Sequence, residues 1–226
     1  MAEIIIAPSL LSANFINLKT EIESCLAAGT DWIHYDVMDR HFVSNLTFGP
    51  KILKDIVSEF PQLKLDLHFM VEITVNLQEY LKEYFACQPK SMTMHIESLK
   101  KKSNIHQFID ECHFHGVNCT LAISPTTKIV EVVPFLDRLD RVLVMSVKPG
   151  FGGQTFMPEV LDKIRFLDAF KKDKALNYDI QVDGGINLET GKLAFLAGAN
   201  HFVAGNSFFE SNQKKAFVET FINYGK

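Results

Sequence analysis

Trp32-Ile33-His34-Tyr35-Asp36-Val37-Met38-Asp39 is the stretch on which the fold turns. Extended backbone sends successive side chains to opposite faces. Trp32, His34, Asp36 and Met38 therefore share one face, and Ile33, Tyr35 and Val37 the other. The second set is an ordinary apolar packing face. The first sets an imidazole beside a carboxylate where a core is expected, and buried charge is costly unless it is paired or bound to a metal. Such a strand calls for a ligand; the alternative is a half-exposed strand with one polar face.

Outward from this strand, extended and helical periodicities alternate along the whole chain. Strands are expected at residues 4–7, 32–38, 63–70, 91–95, 117–122, 141–146, 178–183 and 201–204. Helices are expected at 17–28, ended by Gly29, from the Gly49-Pro50 start onward, through Leu77 to Phe85, at 105–115, ended by Gly116, around 129–133, at 158–171, at 188–197, ended by Gly198, and through Phe217 and Phe221. Eight units of about 28 residues each match the size of a strand–helix repeat. Alternation of this kind implies a parallel sheet, and eight repeats close most naturally into a (βα)8 TIM barrel, read here as a single domain over residues 1–226. A doubly wound open sheet is the second choice, weakened because no Gly-x-Gly-x-x-Gly follows the first strand.

Composition narrows the function. Of 226 residues, 47% are hydrophobic and 22% charged, which predicts a globular chain. A net charge of −4 without a basic stripe argues against nucleic acid or an anionic membrane as partner, and Lys100-Lys101-Lys102 reads as a solvated loop. Cys25, Cys87, Cys112 and Cys119 lack metal-site spacing and suit a reducing compartment. The start runs into Ile4-Ile5-Ile6-Ala7-Pro8 without a basic leader, and no apolar run reaches membrane-spanning length, so a cytoplasmic location is expected.

In barrels the chemistry lies at the carboxyl ends of the strands. Ser9, His34 and Asp36, His68, His95, Met145 and Asp183 are the residues expected there. Two imidazoles and two carboxylates from separate strands can ligate one divalent ion with positions left open for substrate, and mixed nitrogen and oxygen donors suit zinc, iron(II), cobalt or manganese. Taken singly, each could equally be a polar side chain closing a strand. Gly150, Gly152 and Gly153 in the loop after the sixth strand bring backbone amides close to an anion. Gly184 and Gly185 after the seventh strand, and Gly205 with Asn206 after the eighth, extend a phosphate-binding trend common to these barrels. A metal between two acids with a phosphate anchor suggests proton chemistry on a small phosphorylated sugar: the ion polarises a C–H bond beside a carbonyl, one carboxylate removes the proton, and the other returns one to the opposite face.

The sequence resembles the ribulose-phosphate 3-epimerase family. Ile6-Ala7-Pro8-Ser9, Trp32 to Asp39, His41-Phe42-Val43, Asp66 to Val71, Met145-Ser146-Val147, Pro149 to Gln154, Val182 to Gly185 and Val203-Ala204-Gly205 carry the likeness in the family's order. The resemblance implies interconversion of D-ribulose 5-phosphate and D-xylulose 5-phosphate in the pentose phosphate pathway. It implies His34, Asp36, His68 and Asp183 as ligands of one divalent ion per subunit, zinc first, with Fe(II), Mn or Co as alternatives. Asp36 and Asp183 are implied as the acid/base pair, Ser9 and His68 as sugar contacts, and Met38, Met70 and Met145 as thioethers over the reacting centre. Gly150, Phe151, Gly152, Gly153, Gly184, Gly185, Gly205 and Asn206 are implied on the phosphate side. A homo-oligomer, dimer or larger, is expected on the same ground.

Four positions depart from the family pattern: Arg40 for Gly, Ser44 for Pro, Ser124 for Asn and Asn206 for Ser. They bear on substrate fit and loop closure. His95 and Glu97 fall on one strand face and are expected to support the site rather than touch substrate; His41 reads as structural. The competing functions are an epimerase of a six-carbon ketose phosphate such as allulose 6-phosphate, a metal-independent phosphate-binding barrel, and a non-catalytic sugar-phosphate sensor.

Overall fold

The eight strands of the computed structural model, which describes residues 3–225, are all parallel. They are β1 (Ile5–Pro8), β2 (Trp32–Met38), β3 (Lys64–Met70), β4 (Ser91–His95), β5 (Asn118–Ile123), β6 (Arg141–Met145), β7 (Asp179–Asp183) and β8 (His201–Ala204). From β2 to β8 each strand pairs with the next, β8 pairs with β1, and an isolated bridge between Ser9 and His34 brings β1 to β2. The sheet is thus a nearly closed barrel, as expected from the repeat.

Helices alternate with the strands: α1 (Leu18–Ala28), α2 (Pro50–Glu59), α3 (Leu77–Phe85), α4 (Ile96–Leu99), α5 (Lys102–Phe114), α6 (Leu161–Asp173), α7 (Leu188–Ala197), α8 (Asn206–Phe209) and α9 (Lys214–Ile222). Local chemistry explains their limits. Pro50 occupies the first turn of α2. Gly29 ends α1 with φ of 94°, its N–H returning to the Cys25 and Leu26 carbonyls, a conformation costly for any residue with a Cβ. The helix expected around 129–133 is instead two 3-10 segments, Ile129–Glu131 and Val133–Arg138, the second carrying in its first turn Pro134, whose ring and missing N–H break the α pattern. Residues 158–160 are likewise a 3-10 turn ahead of α6. The one-turn helices α4 and α8 were not expected; Glu97 therefore lies on α4 rather than on the fourth strand.

Alternation sorts the core into two compartments. Outward residues such as Ile33, Tyr35, Leu67 and Phe69 join the large apolar layer between strands and helices. All seven residues of β2 are buried, so the half-exposed alternative does not hold. Facing inward, the strands bring His34, Asp36, Asp66, His68, Arg141, Gln181 and His201 into a fully buried interior unusual in its polarity. No helix among the described residues is long and apolar enough to cross a membrane.

Candidate active site

Four side chains from three strands converge at the carboxyl end of the barrel. The register sets His34 level with Asp66 and Asp36 level with His68, while Asp183 closes β7. His34 Nε2 lies 3.2 Å from His68 Nδ1, 3.3 Å from Asp36 Oδ1 and 3.8 Å from Asp183 Oδ2. His68 Nδ1 is 3.1 Å from Asp36 Oδ1 and 3.6 Å from Asp183 Oδ2, and all four donor atoms fall within 4.8 Å of one another. Nitrogen and oxygen ligands about 2.1 Å from a common tetrahedral ion stand roughly 3.4 Å apart, so these spacings fit one small divalent cation. A divalent charge also balances the two carboxylates Asp36 and Asp183, since Asp66 is already paired with Arg141 at 3.1 Å.

The electrostatics point the same way. Burial works against the His34 imidazolium, but Asp36 and Asp66 outweigh it and raise its pKa well above the usual histidine value. Burial opposes ionisation of Asp36 too, yet His34 and His68 hold its carboxyl well below the usual range. Burial pushes the Asp183 carboxyl up to about 7; His34 pulls against this and the nearby Asp36 charge adds to it. Two neighbouring carboxyls thus sit in environments that drive them apart.

Asp36 and Asp183 of the cluster line a cavity of about 490 Å³. Ser9, Asp36, Met38, Met70, Met145 and Asp183 line it together with Gly150, Phe151, Gly152, Gly153, Gly184, Gly185, Gly205 and Asn206. His34 and His68 lie fully buried beneath it. Ser9 donates from Oγ to Asp36 Oδ2 at 2.6 Å, leaving Oδ1 to face the imidazoles. Gly184 and Gly185 have φ of 116° and 60°, and a Cβ on Gly185 would meet the Phe156 backbone nitrogen at 2.6 Å, so the turn after β7 requires glycine.

A family model described as the ribulose-phosphate 3 epimerase family matches residues 5–209. The chain belongs to that family. A ribulose-phosphate 3-epimerase of Schizosaccharomyces pombe is 38% identical, the match covering 99% of this chain and 94% of the relative. One of Escherichia coli strain K12 is 36% identical over 97% and 95% of the two chains. Among solved structures, 3-hexulose-6-phosphate synthase from Salmonella typhimurium superposes with a TM-score of 0.70 at 12% identity, covering 97% of each chain, a likeness of fold alone. Membership makes the chain an isomerase of the epimerase class.

Several residues around the epimerase site escape pattern reading. Ser12, at the end of a 3-10 turn, points its Oγ at Gly205 and Gly152, so closely that a Cβ on Gly205 would meet it at 2.4 Å. Below the cluster, Asp66 receives Gln181 Nε2 at 2.5 Å, Arg141 at 3.1 Å and the Ser91 hydroxyl, and lies 2.7 Å from His34 Nδ1. Strand alternation marks Arg141, Gln181 and His201 as inward-facing, but only the fold shows which partners they meet. Asp39 accepts from the His41 and Phe42 amides with one oxygen and from the Glu72 amide with the other, pinning the loops after β2 and β3.

The departures resolve individually. Arg40 has φ of 63°, the left-handed conformation that suits glycine, and is exposed outside the cavity lining. Ser44 borders a separate groove with Ser124. The Ser124 amide donates to Glu97 at 2.8 Å, and Asn206 donates to Glu210 at 3.2 Å while facing Gly152 and Gly153.

Proposed function

We propose that this chain inverts carbon 3 of a ketopentose phosphate, interconverting D-ribulose 5-phosphate and D-xylulose 5-phosphate in the pentose phosphate pathway. The observation that carries this reading is the shared placement of Asp36 and Asp183, within 4.8 Å of each other among two imidazoles, on the wall of a cavity also lined by glycines. His34, Asp36, His68 and Asp183 hold one divalent ion, with zinc the first expectation and Fe(II), Mn and Co the alternatives. When bound, it supplies Lewis-acid charge to the keto and neighbouring hydroxyl oxygens of the sugar.

The chain's own groups do the rest. One of Asp36 and Asp183 takes the carbon-3 proton from one face, and the other, starting protonated, gives a proton to the opposite face; the reverse reaction exchanges their roles. Ser9 holds the Asp36 carboxylate in position through its 2.6 Å hydrogen bond. Met38, Met70 and Met145 line the cavity and exclude water beside the developing charge. Ser9 faces the sugar, while His68, expected from the sequence as a sugar contact, is fully buried off the cavity lining and serves the ion instead; the amides of Gly150 to Gly153, Gly184, Gly185, Gly205 and Asn206 receive the phosphate. The six-carbon alternative is not favoured, since the curated relatives are named for the pentulose phosphate. Assembly into a homo-oligomer and a cytoplasmic setting belong to the same reading.

Elemental analysis of the purified protein should find about one divalent ion per chain. Stripping it with a chelator should lower turnover of ribulose 5-phosphate at least ~100-fold, with recovery on adding Zn²⁺, Fe²⁺, Mn²⁺ or Co²⁺. Full activity of the stripped protein would favour a metal-independent barrel.

A further inference from the structure

We propose that Glu97, acting through His95, fixes the ring tautomer of His68 and thereby sets how tightly the four-residue cluster holds its divalent ion. The inference rests on the metal reading above and assigns Glu97 and His95 as positioning residues, since neither lines the catalytic cavity.

The geometry is a continuous relay. His68 presents Nδ1 to the cluster, and its other nitrogen, Nε2, lies 3.0 Å from His95 Nε2. His95 in turn places Nδ1 3.1 Å from Glu97 Oε2. All three links follow from one requirement. A ligating Nδ1 must be free of hydrogen, so the neutral His68 ring carries its proton on Nε2. That proton needs an acceptor, so His95 Nε2 must be bare and its proton must sit on Nδ1. A proton there needs an acceptor that cannot donate, and an ionised carboxylate is such a group. His34 is served directly, with Asp66 beside its Nδ1 at 2.7 Å; His68 reaches its carboxylate through a second imidazole.

Glu97 is itself held in one orientation. Its Oε1 accepts from the Ser124 amide at 2.8 Å and from the Thr127 hydroxyl. The segment carrying these donors is clamped by Lys163 of α6, whose Nζ donates to the carbonyls of Ser124, Pro125 and Thr127 at 2.9, 2.7 and 2.6 Å. The His95 ring is fully buried, stacked on His68 with centroids 5.1 Å apart and packed at a 45° tilt against Phe42 at 5.0 Å. Neither group is free to turn away.

This arrangement gives Glu97→Gln a defined consequence. The Ser124 amide keeps the new carbonyl oxygen, so the new NH2 faces His95 Nδ1. His95 must then carry its proton on Nε2, and His68 must move its own to Nδ1, the ligating atom. Zn²⁺ affinity, measured by competition with a chromophoric chelator, should fall about 10- to 100-fold, the usual effect of losing an outer-shell partner. In a His95→Phe background, which keeps the stacked ring but cuts the relay, E97Q should change affinity less than about 2-fold. Equal losses in both backgrounds would mean that Glu97 only anchors the loop and would overturn the proposal.

Ring-nitrogen NMR of the zinc-loaded wild type decides the matter even if a variant fails to fold. Protons on His68 Nε2 and His95 Nδ1, with His95 Nε2 bare, are expected; a proton on His95 Nε2 would overturn the relay while leaving the metal reading intact. Wild-type protein that binds no zinc, iron(II), manganese or cobalt would instead remove both.

Discussion

Asp183→Asn should abolish inversion while leaving substrate binding in place, with kcat for ribulose 5-phosphate down by at least about 10³-fold. Removal of a positioned acid or base alone typically costs 10²- to 10⁴-fold. The amide preserves the shape of a side chain that closes β7 and shares a donor sphere with Asp36, His34 and His68. Its loss is therefore chemical rather than steric. A more telling result follows from the two-face arrangement. With Asp36 intact, one of the two epimers should still exchange its carbon-3 hydrogen with solvent, slowly and without inversion. Near-normal epimerisation by D183N, followed by a coupled assay, would take Asp183 out of the acid/base pair.

Asp66→Asn should have the largest effect on stability. Asp66 is fully buried and holds four partners, Arg141, Gln181, Ser91 and His34, at the centre of the barrel. Burial opposes its charge, but His34 and then Arg141 outweigh it and keep its carboxyl well below the usual range. Neutralising it strands the Arg141 guanidinium, only 2% exposed, without a counter-charge. Removing one member of a buried pair costs about 3–5 kcal/mol, a large part of the 5–15 kcal/mol by which a typical domain is stable. Urea denaturation should show this as a lower midpoint. The double variant Asp66→Asn with Arg141→Met should lose less than the sum of the single losses, because it removes the stranded charge as well. Strict additivity would mean that the pair is not coupled.

The sequence and the fold speak to different parts of this site. Alternation along a single strand was enough to group Trp32, His34, Asp36 and Met38, because a period of two needs only local sequence. The glycine runs at 150–153 and 184–185 were legible for the same reason: Gly150, Gly153, Gly184 and Gly185 all adopt positive φ, and that demand is written at the residue itself. What stayed hidden was pairing across the barrel. Gln181 meets Asp66 across 115 positions and Arg141 meets it across 75, and nothing at either end names the other. Short elements were hidden too. A single turn such as Ile96–Leu99 or Asn206–Phe209 has no periodicity to detect, so from sequence Glu97 reads as part of the fourth strand. Pro134 could have warned against an α-helix near residues 129–133, since its ring excludes the ordinary helical hydrogen bond.

The interior also explains why the cluster persists. Four titratable groups, three of them buried, are carried on strands and held by neighbours at the strand ends. Asp36 keeps one oxygen on Ser9 and turns the other to the imidazoles, and Asp183 is backed by Ser146, which donates to the Asp183 carbonyl at 2.9 Å and to the Gly184 carbonyl at 2.6 Å. A preorganised charge pattern of this kind needs little rearrangement when the substrate arrives.

Conversion of ribulose 5-phosphate in deuterated water, read by NMR at carbon 3, tests the central claim most directly. Proton removal on one face and return on the other predicts xylulose 5-phosphate carrying deuterium at carbon 3 from the earliest turnovers. Unlabelled product at full conversion would contradict it.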